Sequence, residues 1–277
     1  MNNKKLRLLP VVKFIIVLCT CLFSLLPFFI MFKGSFESYN NIVSLQFHLL
    51  PKNASMYNYF DLLANYEFLR WFFNSVFVAI AAIAINIVID VLAAYTLARM
   101  EYPGKKVTNA MVLFAQIIPV QAIVVPLYLM MVKWGWLDTY KGLILPVAVS
   151  PFIIFFLKQS FMQIPRALDE AAMIDGCGRF GVLTQIILPN AKSAVGTGAI
   201  LKFMWVWGDY IWPSLVSKVS SMRTLPVGIA GFQNASGTYP WNLVMPAAVL
   251  AALPIILLFI FLQKYFVAGL TEGAVKG

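Results

Sequence analysis

Charge is scarce in this sequence. Only 12% of its 277 residues are Asp, Glu, Lys or Arg, whereas 61% are hydrophobic. A soluble domain carries roughly 25% charged residues, so there is too little charge here to clothe a water-facing surface of this length. Histidine is nearly absent, His48 being the one imidazole. The three cysteines, Cys19, Cys21 and Cys177, show neither C-x-x-C nor any metal-ligand spacing. A metal centre or a histidine-based triad would therefore lack its raw materials. No G-x-x-x-x-G-K-[ST] occurs, so this chain has no P-loop for nucleotide. The net charge of +10 comes without a soluble basic stripe interleaved with aromatics, which argues against nucleic acid as a partner.

What the chain has instead is long runs without charge, at 14–32, 107–132 and 243–263. About 20 apolar residues cross the hydrocarbon core as a helix. The expected fold is all-α and polytopic, with six transmembrane helices near 12–33, 72–98, 108–132, 142–158, 193–216 and 243–265. The first run follows Lys4, Lys5 and Arg7 but ends without a small-residue cleavage pattern, and is expected to be an uncleaved span. Thirteen of the 21 Lys and Arg residues fall on the side of the chain ends and of connections 99–107 and 158–192, against seven in the longer loops opposite. The basic side of a membrane protein is its cytoplasmic side, so both termini are expected there. The chain reads as an N-terminal part, 1–70, with the first span and an outer loop, and a core, 71–277, containing a large cytoplasmic connection at 158–190.

That connection reads KQSFMQIPRALDEAAMIDGCGRFGVLTQIILP from Lys158 to Pro189. Pro165 suits the first position of a helix, and Asp169 and Glu170 lie in its first turns, where the dipole favours acids. Leu168, Ala171 and Ala172 form a small apolar patch. Asp175-Gly176 ends the helix, and a second one, about 179–187, carries Phe180, Leu183, Ile186 and Ile187 towards Pro189. The result is a helix-turn-helix with a small, glycine-rich apex at Gly176, Cys177 and Gly178, a shape that can enter a groove on a partner.

This loop resembles the permease subunits of binding-protein-dependent ABC importers. Their pattern is E-A-A, three residues, G, nine residues, I-x-L-P. Here Glu170-Ala171-Ala172, Gly176, Ile186, Leu188 and Pro189 stand at that spacing. Further positions look like the maltose-type carbohydrate family, and most like its shorter six-span permease: Asn74-Ser75, Ala93-Ala94-Tyr95 with Ala98-Arg99, Gly142-Leu143-Ile144-Leu145, Tyr265-Phe266-Val267, Gly269-Leu270-Thr271 and 273–277. The likeness covers roughly 70–277. The chain departs from it at Trp207-Gly208, where relatives have Trp-Asn, and at Cys177, where Ala is usual.

The resemblance implies a type I ABC importer transmembrane domain in a bacterial plasma membrane. It would pair with a second permease, rest on two ATPase subunits that bind ATP and Mg, and receive its solute from an extracytoplasmic solute-binding protein, with no cofactor of its own. Segment 165–178 would be the coupling helix seated in an ATPase cleft, and the ATPase-coupling residues would be Glu170, Ala171, Ala172, Asp175, Gly176, Cys177, Gly178, Ile186, Leu188 and Pro189. Glu170 would touch the ATPase, or else only cap its own helix. The fifth span is rich in aromatics. Trp205, Trp207, Asp209 and Tyr210 are candidates for the substrate pathway, since sugars stack on aromatic faces and bond to acids; the plainer reading is packing and an interfacial belt. Asp90 and Lys202 lie at similar depth and are candidates for an intramembrane ion pair, or each faces a wet cavity or the partner permease separately. A sugar or oligosaccharide is the expected solute. The rivals are a non-sugar solute such as a glycerol-phosphate compound, and, in a different class, a secondary transporter or channel.

Overall fold

The computed structural model describes residues 3–44, 46, 48–233 and 237–272. The final stretch 273–277, part of the resemblance above, lies outside them. Helix accounts for all regular structure among the described residues. Contacts divide the chain into two compact units, one of Met1–Phe68 with Ile229–Leu253, the other of Leu69–Gly228 with Pro254–Gly277.

In the first unit, α1 (Asn3–Gly34) is apolar on every side and its spanning stretch is wholly exposed to its surroundings, as a helix bathed in lipid is. Short helices α2 (Tyr39–Ile42) and α3 (Tyr57–Asn65) follow. The loop is held by buried Asn58, whose Nδ2 donates to the carbonyls of Ser35 (3.0 Å) and Glu37 (2.8 Å). Glu37 pairs with Lys33 at 3.3 Å and accepts from Lys52 N–H at 2.8 Å. A buried carboxylate persists only with such partners.

In the second unit, α4 (Phe68–Arg99) is the central rod. Its buried residues Trp71, Ser75, Val78, Ala82, Asn86, Asp90, Ala94 and Ala98 recur at three or four positions, the stripe of a helix packed on one face. Asn74-Ser75 locks a distant loop to it. Asn74 Nδ2 donates to the carbonyls of Ser221 and Arg223, both at 2.9 Å, and Ser75 Oγ accepts from Leu225 N–H at 2.7 Å. Leu225 begins α14 (Leu225–Ala230).

Three expected spans are broken where single helices were anticipated. The third divides into α5 (Lys105–Ile117) and α6 (Val120–Trp134), bent by 100°. Proline bars the residue before it from helical geometry, and Ile118, before Pro119, is extended at ψ 116°. The fourth divides into α7 (Tyr140–Ala148) and α8 (Pro151–Gln163), bent by 41°. Ser150 caps α8 by accepting from Ile153 N–H, and Pro151 takes its first position. The fifth divides into α12 (Lys192–Gly208) and α13 (Ile211–Val216). In a continuous helix Pro213 would clash with the Asp209 carbonyl and leave it unbonded; Asp209 is extended instead. The last span is α15 (Trp241–Glu272). Pro10–Gly34, Phe68–Arg99 and Trp241–Gln263 are each long and apolar enough to cross a membrane, and the two bent pairs make five. Helix α12, at 17 residues, reaches roughly 25 Å, and with α13 lies where the fifth span was expected.

Candidate functional site

The connection between α8 and α12 folds as the helix-turn-helix its sequence predicts. Helix α9 (Arg166–Ile174) ends in a Schellman motif: Cys177 N–H donates to the Ala172 carbonyl (2.9 Å) and Gly176 N–H to that of Met173 (3.1 Å). The motif needs a left-handed residue at its turn, and Gly176 has φ +88°. Gly176 is thus first a backbone requirement. Its surroundings are open, with nothing within 4 Å of where a side chain would begin. The second helix comprises α10 (Arg179–Gly181), a π-helical turn (Val182–Ile187) and α11 (Leu188–Asn190). Pro189 accounts for the widened turn, because in an α-helix its ring would strike the Gln185 carbonyl.

The string of small and apolar residues in this connection divides between two faces. Ala172, Val182, Leu183 and Ile187 are buried in one cluster with Ala94, Tyr95 and Ala98 of α4 and Ile153, Leu157 and Phe161 of α8, and Cys177, Ile186 and Leu188 pack against it. Glu170, Ala171, Asp175, Gly176, Gly178 and Pro189 are exposed. The expected patch of Leu168, Ala171 and Ala172 is therefore split, with only Ala172 facing inward. No side chain among the described residues caps α9, and Glu170 is exposed on it. Large apolar residues flank it: Leu168 is 43% exposed, Met173 51%, Phe180 71% and Ile174 86%.

Two polar ties that sequence reasoning missed fix this loop to α4. Arg99 Nε lies 3.2 Å from Asp169 Oδ2, with both side chains at least nine-tenths buried. The approach is too oblique for a hydrogen bond, but Arg99 also donates from Nη2 to the Ile164 carbonyl at 2.7 Å. Tyr95 OH donates to the Arg179 carbonyl at 2.9 Å. The available signal was the spacing of Asp169 and Ala172, three apart and hence on one helix face. The loop is thus tied to α4 and packed against α8.

The expected direct Asp90–Lys202 ion pair is replaced by a bridged arrangement. Both residues reach the break between α7 and α8, and each binds backbone there. Asp90 Oδ2 accepts from Ser150 N–H (3.0 Å) and from Asn86 Nδ2. Lys202 Nζ donates to the Val147 carbonyl. Asn86, Asp90, Ser150 and Lys202 are buried. A helix end leaves N–H and C=O groups unpaired, and inside a membrane such groups must find internal partners. The acid takes the amide end of the break and the lysine takes the carbonyl end.

The aromatic candidates are likewise divided. Trp207 is buried, stacked on Phe203 at 5.4 Å and edge-on to Phe72 at 5.7 Å. Trp205 and Tyr210 are about half exposed. Asp209 sits at the α12–α13 break and accepts from Trp212 N–H at 3.4 Å. Gly208 meets open space, so Met204, Trp205 and Gly208 form a continuous exposed strip along α12.

The chain is thus a polytopic helical protein whose spans break at prolines and whose largest connection is packed against α4 and α8. Residues 91–272 match the family described as the binding-protein-dependent transport system inner membrane component, and the chain belongs to that family. It is 33% identical to the arabinooligosaccharides transport system permease protein AraQ of Bacillus subtilis (strain 168), covering 91% of each chain. It is 34% identical to the trehalose/maltose transport system permease protein MalG of Thermococcus litoralis, covering 98% of this chain and 97% of that one. It is 32% identical to the sn-glycerol-3-phosphate transport system permease protein UgpE of Brucella abortus (strain 2308), over 89% and 90%. A chain in the crystal structure of a bacterial ABC transporter that imports alginate shares the fold, with a TM-score of 0.86 at 22% identity over 96% and 99% of the two chains.

Proposed function

We propose that this chain is one of two membrane permeases of an ATP-driven importer for a sugar or oligosaccharide. The observation that carries the mechanism is the two-faced loop. Its inner face is fused to α4 and α8, and its outer face presents Glu170, Ala171, Ile174 and Phe180 to a partner. That partner is an ATPase subunit, and the ATP and Mg belong to it. Closure of two ATPase subunits would draw the two loops together. Packed elements move as units, so α4 and α8 would turn with their loop, opening the pathway towards an extracytoplasmic solute-binding protein. Both termini and this loop are then cytoplasmic, in accord with the distribution of Lys and Arg.

The carbohydrate reading rests on the AraQ and MalG likeness and on the exposed strip beside Asp209. Trp205 and Tyr210 offer faces for sugar rings, and Asp209 is an acceptor for hydroxyls. A phosphate-bearing solute, as named for UgpE, would meet a carboxylate there and be repelled. Uptake of labelled arabino- and malto-oligosaccharides, and of glycerol-3-phosphate, by cells with and without the chain tests this. Chain-dependent uptake of an oligosaccharide is expected. Chain-dependent uptake of glycerol-3-phosphate alone would overturn the sugar assignment.

A further inference from the structure

A cavity of about 550 Å³ opens where the 99–107 connection meets α5 and α8, lined by Glu101, Tyr102, Lys105, Lys106, Asn109 and Lys158. Cavities of this size accommodate small ligands. Its charge is unbalanced. Lys105 bonds Glu101 at 2.9 Å, and the same carboxylate lies 4.0 Å from Arg166 of the lever loop. Lys158, half-buried, has only the neutral Asn109 Oδ1 as partner, at 2.5 Å, and Lys106 bonds to nothing among the described residues.

The placement of these cations runs against helix electrostatics. Lys105 and Lys106 occupy the first turn of α5, which has no acid there and no side-chain cap at Gly104. The N-terminal end of a helix is positive and favours anions. Two lysines at that end, and a third from α8 facing the same space, leave a positive well that an anion would relieve. Beyond this well, α5 buries none of its side chains, and Val107, Met111, Phe114 and Ile117 are 58% to 74% exposed. Basic groups set beside an exposed apolar helix match a molecule with a phosphate head and a hydrocarbon tail.

We propose that this cavity binds a phosphate group, that of an anionic lipid headgroup whose acyl chains lie along α5, or free phosphate. Lys106 and Lys158 are the charges that hold it, and Lysine ammonium is a compact point charge suited to phosphate. Occupancy would compete with Glu101 for Lys105 and so reach Arg166, at the start of α9.

The test uses the full chain in detergent, with phosphatidylglycerol, phosphatidylcholine and labelled inorganic phosphate as probes, bound lipid being counted by native mass spectrometry. For a headgroup site, phosphatidylglycerol binds in preference to phosphatidylcholine. Lys106→Gln and Lys158→Gln each weaken it about fivefold, while Lys133→Gln, outside the cavity, leaves it unchanged. For free phosphate, the two lipids bind alike and labelled phosphate is retained by the unaltered chain but lost from the double variant. If neither probe distinguishes the unaltered chain from the double variant, the proposal is overturned. Should the double variant fail to fold, exposed Lys106→Gln alone gives the same reading.

Discussion

Individual side chains in this protein answer for backbone groups more often than for each other. Gly142 shows the constraint most sharply. Its amide donates to Thr139 Oγ, its carbonyl accepts from Trp212 Nε1 at 2.9 Å, and a Cβ there would lie 2.3 Å from the Trp136 carbonyl oxygen. Backbone cannot yield as a flexible side chain can, so Gly142→Ala is expected to cost about 1–3 kcal/mol or more, seen as a lower melting temperature of the purified chain. The Arg99–Asp169 pair is the second case. Removing one member of a buried pair strands the other charge, at about 3–5 kcal/mol. Arg99→Leu or Asp169→Leu alone should therefore loosen 158–190 to limited proteolysis, and the double change should be milder than either. Equal protection in all three variants would show the pair to be irrelevant to the loop. The E-A-A, G and I-x-L-P residues were legible because their spacing is in the sequence. Their division into inward and outward faces was not. It depends on which turn of α9 meets α4, and Ile174, among the most exposed apolar residues of the loop, lies outside the pattern altogether.

Among elements, the informative features are the breaks. Hydropathy located all the apolar stretches within a few residues, since a run of uncharged residues looks the same whether its helix is straight or bent. The prolines that bend them, Pro119, Pro151 and Pro213, were visible too, but proline alone does not foretell a break: Pro126 and Pro146 lie within helices. What decides is whether another element supplies the freed groups with partners, as Asp90 and Lys202 do for α7–α8. Asp90 and Lys202 were singled out because charge is rare in a span; that each binds the backbone of a break rather than touching the other directly needed three-dimensional structure. The two accounts diverge experimentally. If Asp90 acts by accepting from Ser150, Asp90→Ala should cost about 1–3 kcal/mol, while Asp90→Asn, whose amide oxygen can accept the same N–H, should retain most of the stability. Were the charge itself essential, Asp90→Asn would be as damaging as Asp90→Ala in a thermal melt.

At the scale of the molecule, the chain belongs to the binding-protein-dependent transport system inner membrane components. Its 158–190 loop is braced on the inside and exposes Leu168, Met173, Ile174 and Phe180 on the outside, and a patch of exposed apolar side chains signals a binding partner. Truncating a central apolar anchor of an interface commonly costs 2 kcal/mol or more in binding, so Ile174→Glu and Phe180→Glu should weaken ATPase association at least roughly thirtyfold without lowering the melting temperature of the chain alone. The most direct test is to co-express the tagged chain with its neighbouring transport genes, purify it in mild detergent, identify what accompanies it, and assay ATP hydrolysis. Recovery of a second permease and an ATPase, with both the ATPase and the hydrolysis lost in Ile174→Glu, is the result expected of an importer permease driven through this loop. A chain that purifies alone, or one that keeps its ATPase when Ile174 is charged, would contradict that account.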